Sequence, residues 1–135
     1  MKDKIWEGIK SHIHPMGGFE HAILIDARPG YAKFSIVIPK EAINIYGITH
    51  GGFLFTLCDM AAGMATSAYE IENTTQHASI SFLKGLPLEA GKLYVECRSA
   101  HKGRSTVVNQ VEITTESGAL VVVGTFTMFL LKPIE

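Results

Sequence analysis

A chain of 135 residues with 12 Lys and Arg against 13 Asp and Glu, and a formal net charge of −1, lacks the basic surplus with which nucleic-acid binders neutralise phosphates. Its length suits one ordinary domain, residues 1–135, able to bury roughly two thirds of its unfolded surface without covalent staples. The two cysteines, Cys58 and Cys97, have neither zinc-ligand spacing nor the density of a disulfide scaffold, and both read as reduced, buried thiols.

In chain order, Ile5, Trp6, Ile9 and Ile13 fall at helical spacing and predict an amphipathic amino-terminal helix over residues 1–13. The same segment mixes charges with isolated apolar residues instead of the unbroken apolar run of a signal peptide, which makes a cytoplasmic location the expectation. His12 and His14 are close in sequence, but no carboxylate or thiol stands at ligand spacing from them, and no metal site is expected. Strands are predicted over residues 20–28 and 31–39, joined at Pro29-Gly30, a pair that supplies the fixed and the permissive dihedrals of a tight turn. A loop carrying Asn44-Ile45-Tyr46-Gly47 leads into a helix over residues 51–69. Four more strands follow, at about 76–84, 93–100, 105–115 and 119–131, in a meander-like pattern. The sum is an α+β fold, one antiparallel sheet wrapped around one long central helix.

That central helix, GGFLFTLCDMAAGMATSAY, is apolar on nearly every side and carries one charged residue, Asp59. It fails as a membrane span, because Asp59 sits at its midpoint and Gly, Thr and Ser dilute its hydrophobicity; no membrane association is expected. One curved sheet covers only part of such a helix, so a second copy of the chain is the most economical cover for the rest, and a homodimer is predicted. The valine-rich strand 119–131 is a candidate for pairing across the two-fold.

Leaving a carboxylate among apolar residues costs several kcal/mol unless it is paired or protonated, so Asp59 requires a compensating structure or a use. At the head of the helix, His50-Gly51-Gly52 offers unpaired amides and a partial positive charge that favour negative charge growing on an oxygen. Gly51 and Gly52 let a carbonyl approach the backbone closely. A tight loop-to-helix junction would also explain the glycines, and a structural hydrogen bond would also explain Asp59. Gly51 and Asp59 are eight residues apart, or roughly 12 Å on a helix, too far for both to act on one carbon. If both act on one ester or thioester, Asp59 of one subunit must meet Gly51 of another, as an antiparallel helix pair across a two-fold would arrange.

The run from Asn44 to Asp59, NIYGITHGGFLFTLCD, closely resembles the signature of hotdog-fold acyl-CoA thioesterases of the phenylacetate-degradation, or PaaI, type. Ile80-Ser81-Phe82-Leu83 resembles the family's strand after the helix, and His101-Lys102-Gly103-Arg104-Ser105 its later glycine-containing turn. The resemblance implies hydrolysis of an acyl-CoA thioester with no cofactor beyond the coenzyme A of the substrate, in a homodimer that pairs into a homotetramer. It implies that Asp59 is general base or nucleophile, in apolar surroundings that penalise its charged form, and that the Gly51 amide binds the thioester oxygen. Asn44 would sit beside that carbonyl or hold its loop, His50 would face the sulfur or orient Asn44, and Thr75 would position the water with Asp59. Gly52 would lie against the substrate, and Lys102, Gly103 and Arg104 would form a cationic rim for the coenzyme A phosphates, with Lys84-Gly85 next in line. Two alternatives stay open: a non-catalytic acyl-CoA binding module, and a hotdog hydratase or dehydratase.

Overall fold

The computed structural model describes residues 3–10 and 17–135; Ile13, His12 and His14 lie outside the described residues. Helix α1 spans Asp3–Lys10, within the predicted amino-terminal helix. Strands β1 (Ile23–Arg28) and β2 (Tyr31–Val37) precede helix α2 (Gly51–Ser67), and β3 (Ile71–Phe82), β4 (Lys92–Lys102), β5 (Thr106–Thr115) and β6 (Leu120–Pro133) follow it. All neighbouring strands are antiparallel, in the order β1-β2-β4-β5-β6-β3.

Inward positions alternate with outward ones along β4 and β5, where Leu93, Val95, Cys97, Val107, Val111 and Ile113 are fully buried, as a sheet with one face on a core requires. Their shared core partner is α2, whose Leu57, Cys58, Ala61, Met64 and Ala65 are likewise inaccessible. The predicted β1–β2 hairpin forms as expected: Arg28 pairs Tyr31 across Pro29-Gly30, and Gly30 has φ +77°. Its amide bonds Ala65 O and its carbonyl accepts from Ser99 N, so this turn fastens the carboxy-terminal half of α2 to β4.

Four details depart from the sequence reading. The meander holds for β4, β5 and β6, but β3 sits at the far edge beside β6, because α2 crosses the sheet and delivers the chain to its other side. Strand β3 starts at Ile71, five residues before the predicted start, and α2 ends at Ser67, before the predicted Tyr69. Glu70 takes a left-handed φ of 65° and sends the chain directly from helix into strand. Strand β6 cannot pair across a two-fold, since β5 and β3 occupy both its edges; the free edges belong to β1 and β3.

Nor does α2 need a second subunit over most of its outer side. Ile5 and Ile9 of α1 are buried in the shared core, and Phe19 stacks on Phe53 at 4.9 Å. Every α2 residue from Met60 to Ser67 is buried within one chain. What stays accessible among the described residues is a stripe of Gly51, Gly52, Phe55, Thr56 and Asp59, a single helix face by spacing. No helix among the described residues is long and apolar enough to cross a membrane.

Candidate active site

Asp59 projects from that open stripe toward β3. There the Thr75 hydroxyl donates to Asp59 Oδ1 at 2.5 Å, with Met128 Sδ 3.7 Å from the same hydroxyl. The two residues are sixteen positions apart in sequence and meet because β3 runs back along α2. Thr75 pairs Met128 of β6, and a bulge follows it before His77, the kind of irregularity that re-aims strand side chains. Asp59, Thr75, Asn73 and Met60 border a cavity of about 220 Å³. Asp59 itself is partly exposed in the single chain, so the apolar enclosure expected for it is incomplete.

Cys58, the neighbour of Asp59, is fully buried and burial pushes its thiol up to about 12, with the Asp59 charge adding to the effect. It is a packed thiol, as expected from the roughly 100° between successive helix positions. Among the described residues no group of three His, Cys, Asp or Glu side chains is placed to hold a metal.

The other end of α2 presents a second cluster. His50 is its N-cap, with no side-chain bond to the helix, and the first helical hydrogen bond runs from Leu54 N to His50 O. The amides of Gly51, Gly52 and Phe53 therefore precede the helical ladder. A methyl group at Gly52 would meet nothing within 4 Å, whereas one at Gly51 would stand 3.2 Å from the Phe82 ring. His50, Gly52, Thr56 and Glu41 border a cavity of about 300 Å³.

Asn44 holds its own loop. Its Oδ1 accepts from Tyr46 N and Ile48 N at 2.9 and 3.2 Å, and an isolated bridge between Ile43 and Thr49 closes the loop at its base. Of the two roles expected for Asn44, loop organisation is the one whose contacts are visible. The His50 ring makes no hydrogen bond to Asn44 among the described residues, and Ala42 O receives the His50 backbone amide at 2.7 Å.

The structure brings Asp59 and Thr75 together and places Asn44, His50, Gly51 and Gly52 in a separate group roughly 12 Å up the helix. Lys102, Gly103 and Arg104 form the β4–β5 turn, where Gly103 N bonds Thr106 O and Lys102 Nζ lies 5.5 Å from the Tyr69 ring. That is the Asp59 end of the sheet: Thr106 pairs Phe129, which pairs Thr74, two strand spacings or about 10 Å away. Lys84-Gly85 lies instead at the Gly51 end, with Gly85 against Ile48. Sequence reasoning missed Asn73 and Met128 around Asp59, and Phe82 against Gly51. The two-residue alternation that puts Asn73 on the Thr75 face was readable only once β3 was known to begin at Ile71.

Residues 46–122 match the thioesterase superfamily. A hypothetical thioesterase protein of Streptococcus pneumoniae, crystallised with coenzyme A, superposes with a TM-score of 0.86 at 30% identity, covering 96% of this chain and 98% of that one. A Streptococcus mutans protein bound to acetyl-CoA gives 0.83 at 31% identity, over 93% and 100% of the two chains. The acyl-coenzyme A thioesterase PaaI of Escherichia coli is 28% identical over 94 residues, 69% of this chain and 66% of that protein. The six-stranded antiparallel sheet curled on one helix is the fold these proteins share, and the chain belongs to the thioesterase superfamily, as a hotdog-fold member of the PaaI type.

Proposed function

We propose that this thioester hydrolase cleaves an acyl-coenzyme A to free acid and thiol, at a site formed by Asp59 and Thr75 of one subunit and the α2 amino terminus of a second. The observation that carries this is the Thr75–Asp59 hydrogen bond at a cavity, on the one stripe of α2 left accessible. Coenzyme A and acetyl-CoA in the two streptococcal relatives support the substrate class. The pneumococcal relative has also been crystallised as an aspartate-to-alanine and a threonine-to-alanine variant, sixteen positions apart, the separation of Asp59 and Thr75.

The chemistry follows from the hydrogen-bond directions. Thr75 donates to Asp59 Oδ1, which leaves its lone pairs to accept from a water and leaves Asp59 Oδ2 to take that water's proton. The hydroxide equivalent adds to the thioester carbonyl carbon. The Gly51 amide of the partner subunit, at the positive end of α2, stabilises the oxyanion. Collapse of the tetrahedral adduct breaks the carbon–sulfur bond, and the thiolate leaves toward His50, a candidate to protonate it. Lys102 and Arg104 meet the coenzyme A phosphates beyond the β4–β5 turn, with Gly103 giving that turn its closeness. The exposed stripe containing Asp59 faces the partner, and the dimer pairs again into a tetramer.

Thiol release from a panel of acyl-CoA thioesters, with wild type and Asp59→Ala side by side, tests the proposal. Release by wild type that disappears in the variant supports it. Silence across the panel with calorimetric binding of the thioesters would sink it in favour of a binding module, and a hydrated product without free thiol would indicate a hydratase.

A further inference from the structure

Two cavities meet at one side chain. The cavity of about 220 Å³ that holds Asp59 and Thr75 is bordered by Asn73, and so is a second one of about 330 Å³ lying between α1 and the Ile71–Pro133 end of the β3–β6 pair. Lys4, Ile5, Gly8, Glu72, Leu131 and Ile134 line the second. Asn73 Nδ2 donates to Ser67 Oγ at 3.1 Å and to Ile71 O at 3.0 Å. Its carboxamide is thereby stretched from β3 to the end of α2, across the boundary between the two spaces. No bulge separates Asn73 from Thr75, which pair Leu130 and Met128 in continuous register, so both side chains stand on the α2 face of the strand.

We infer that Asn73 is the end wall of the acyl subsite, and that the cavity beneath α1 is its extension, so that Asn73 and α1 together set the longest acyl chain hydrolysed. The inference rests on Asp59 as the reacting centre. With the carbonyl carbon at Asp59 and the coenzyme leaving toward solvent, the acyl substituent points along β3 toward Asn73. Beyond it, Ile5, Leu131 and Ile134 suit aliphatic or aryl carbon, while Lys4 and Glu72 also border the cavity and Glu72 is paired with Lys132 at 3.7 Å. Gly8 is the second notable feature. A glycine inside a helix costs about 1 kcal/mol relative to alanine; Gly8 is exposed at the border of this cavity and a methyl group there would meet nothing within 4 Å, so a larger side chain can be placed there without a clash.

The test measures kcat/KM for a straight-chain series, from acetyl-CoA through octanoyl-CoA to palmitoyl-CoA. Asn73→Ala is expected to move the optimum to longer chains, with a gain of about tenfold in the long-to-short ratio, as expected for added methylene groups entering an apolar pocket. Gly8→Leu, which adds a side chain at the border of the second cavity, is expected to cancel that gain in the double variant. Asn73→Ser, which shortens the wall but keeps a hydrogen-bonding group, should shift the optimum in the same direction should the alanine variant melt early. Parallel profiles in wild type, Asn73→Ala and Asn73→Ser would overturn the wall. A double variant that keeps the extended profile would overturn the α1 cavity as its continuation. Wild-type protein that releases thiol from no thioester would overturn the function itself and this inference with it, a result distinct from active enzyme with parallel profiles.

Discussion

The Thr75 hydroxyl donates to Asp59 Oδ1 at 2.5 Å, linking the edge strand β3 to the middle of α2 across sixteen positions of sequence. A charged acceptor makes this bond stronger than a neutral pair, and it fixes which carboxylate oxygen remains for chemistry. Asp59 is thus compensated and still accessible, a combination that a purely structural carboxylate does not need.

Removing the base should remove turnover while leaving the fold. Asp59→Ala and Asp59→Asn are both expected to lower kcat by about 10²–10⁴-fold, with unchanged circular dichroism. Wild-type-like turnover in either variant would end the assignment.

In the proposed site Thr75 holds the carboxylate and orients the water. A hydrogen bond to a charged group contributes about 1.5–3 kcal/mol, so Thr75→Val should cost about ten- to a hundredfold in kcat with KM little changed. Thr75→Ser keeps the hydroxyl and should recover most of the rate. Equal losses in the two variants would mean that the methyl group, not the hydroxyl, matters.

Gly51→Pro deletes one N–H at the first helical position, where proline is tolerated. His50 already has the extended ψ of 135° that a residue before proline requires, and the Phe82 ring that a new Cβ would approach is half-exposed. Each homodimer of Gly51→Pro or Asp59→Ala should be inactive. A mixed dimer keeps one complete site of two, so random mixing should restore about a quarter of wild-type activity for a two-fold shared site. Well-folded mixed dimers, separated by two affinity tags, with no activity would refute the shared site.

Away from the chemistry, the chain Ser99 Oγ to Asn109 Oδ1, Asn109 Nδ2 to Thr66 Oγ1 and Thr66 Oγ1 to Ala62 O ties α2 to β4 and β5 at 2.7–2.9 Å. Asn109 is fully buried. Asn109→Ala leaves buried partners short of a bond and should destabilise by about 1–3 kcal/mol, lowering the melting temperature by several degrees. A melting curve superimposable on wild type would show the network to be dispensable.

Both thiols should be silent in the native protein. An unfolded thiol ionises near 9.0, and burial raises Cys58 to about 12; Cys97 moves the same way. Since the fold favours the neutral form, this contribution to stability is complete below pH 9 and is lost as pH rises through about 12. A thiol-reactive dye should label neither cysteine at pH 8 and both in guanidinium. Labelling of the native protein would contradict the packing around α2.

The sequence by itself determined most of the elements and pointed to the candidate centre of the chemistry. An apolar helix with one carboxylate, a Pro29-Gly30 turn and alternating strands are local patterns, written in periods of 3.6 and 2 that need no tertiary partner to be read. Asn44, His50, Gly51, Gly52 and Asp59 were legible for the same reason, lying in one continuous run. The tertiary structure decided the relations between distant segments. Only the path of α2 across the sheet could put β3 at the far edge, bring Thr75 to Asp59 and enclose β6. Only α1, docked through Ile5 and Ile9, could show that the chain covers most of its own helix and leaves the Gly51–Asp59 stripe accessible. These outcomes depend on which faces meet, and a one-dimensional period specifies a face without specifying its partner.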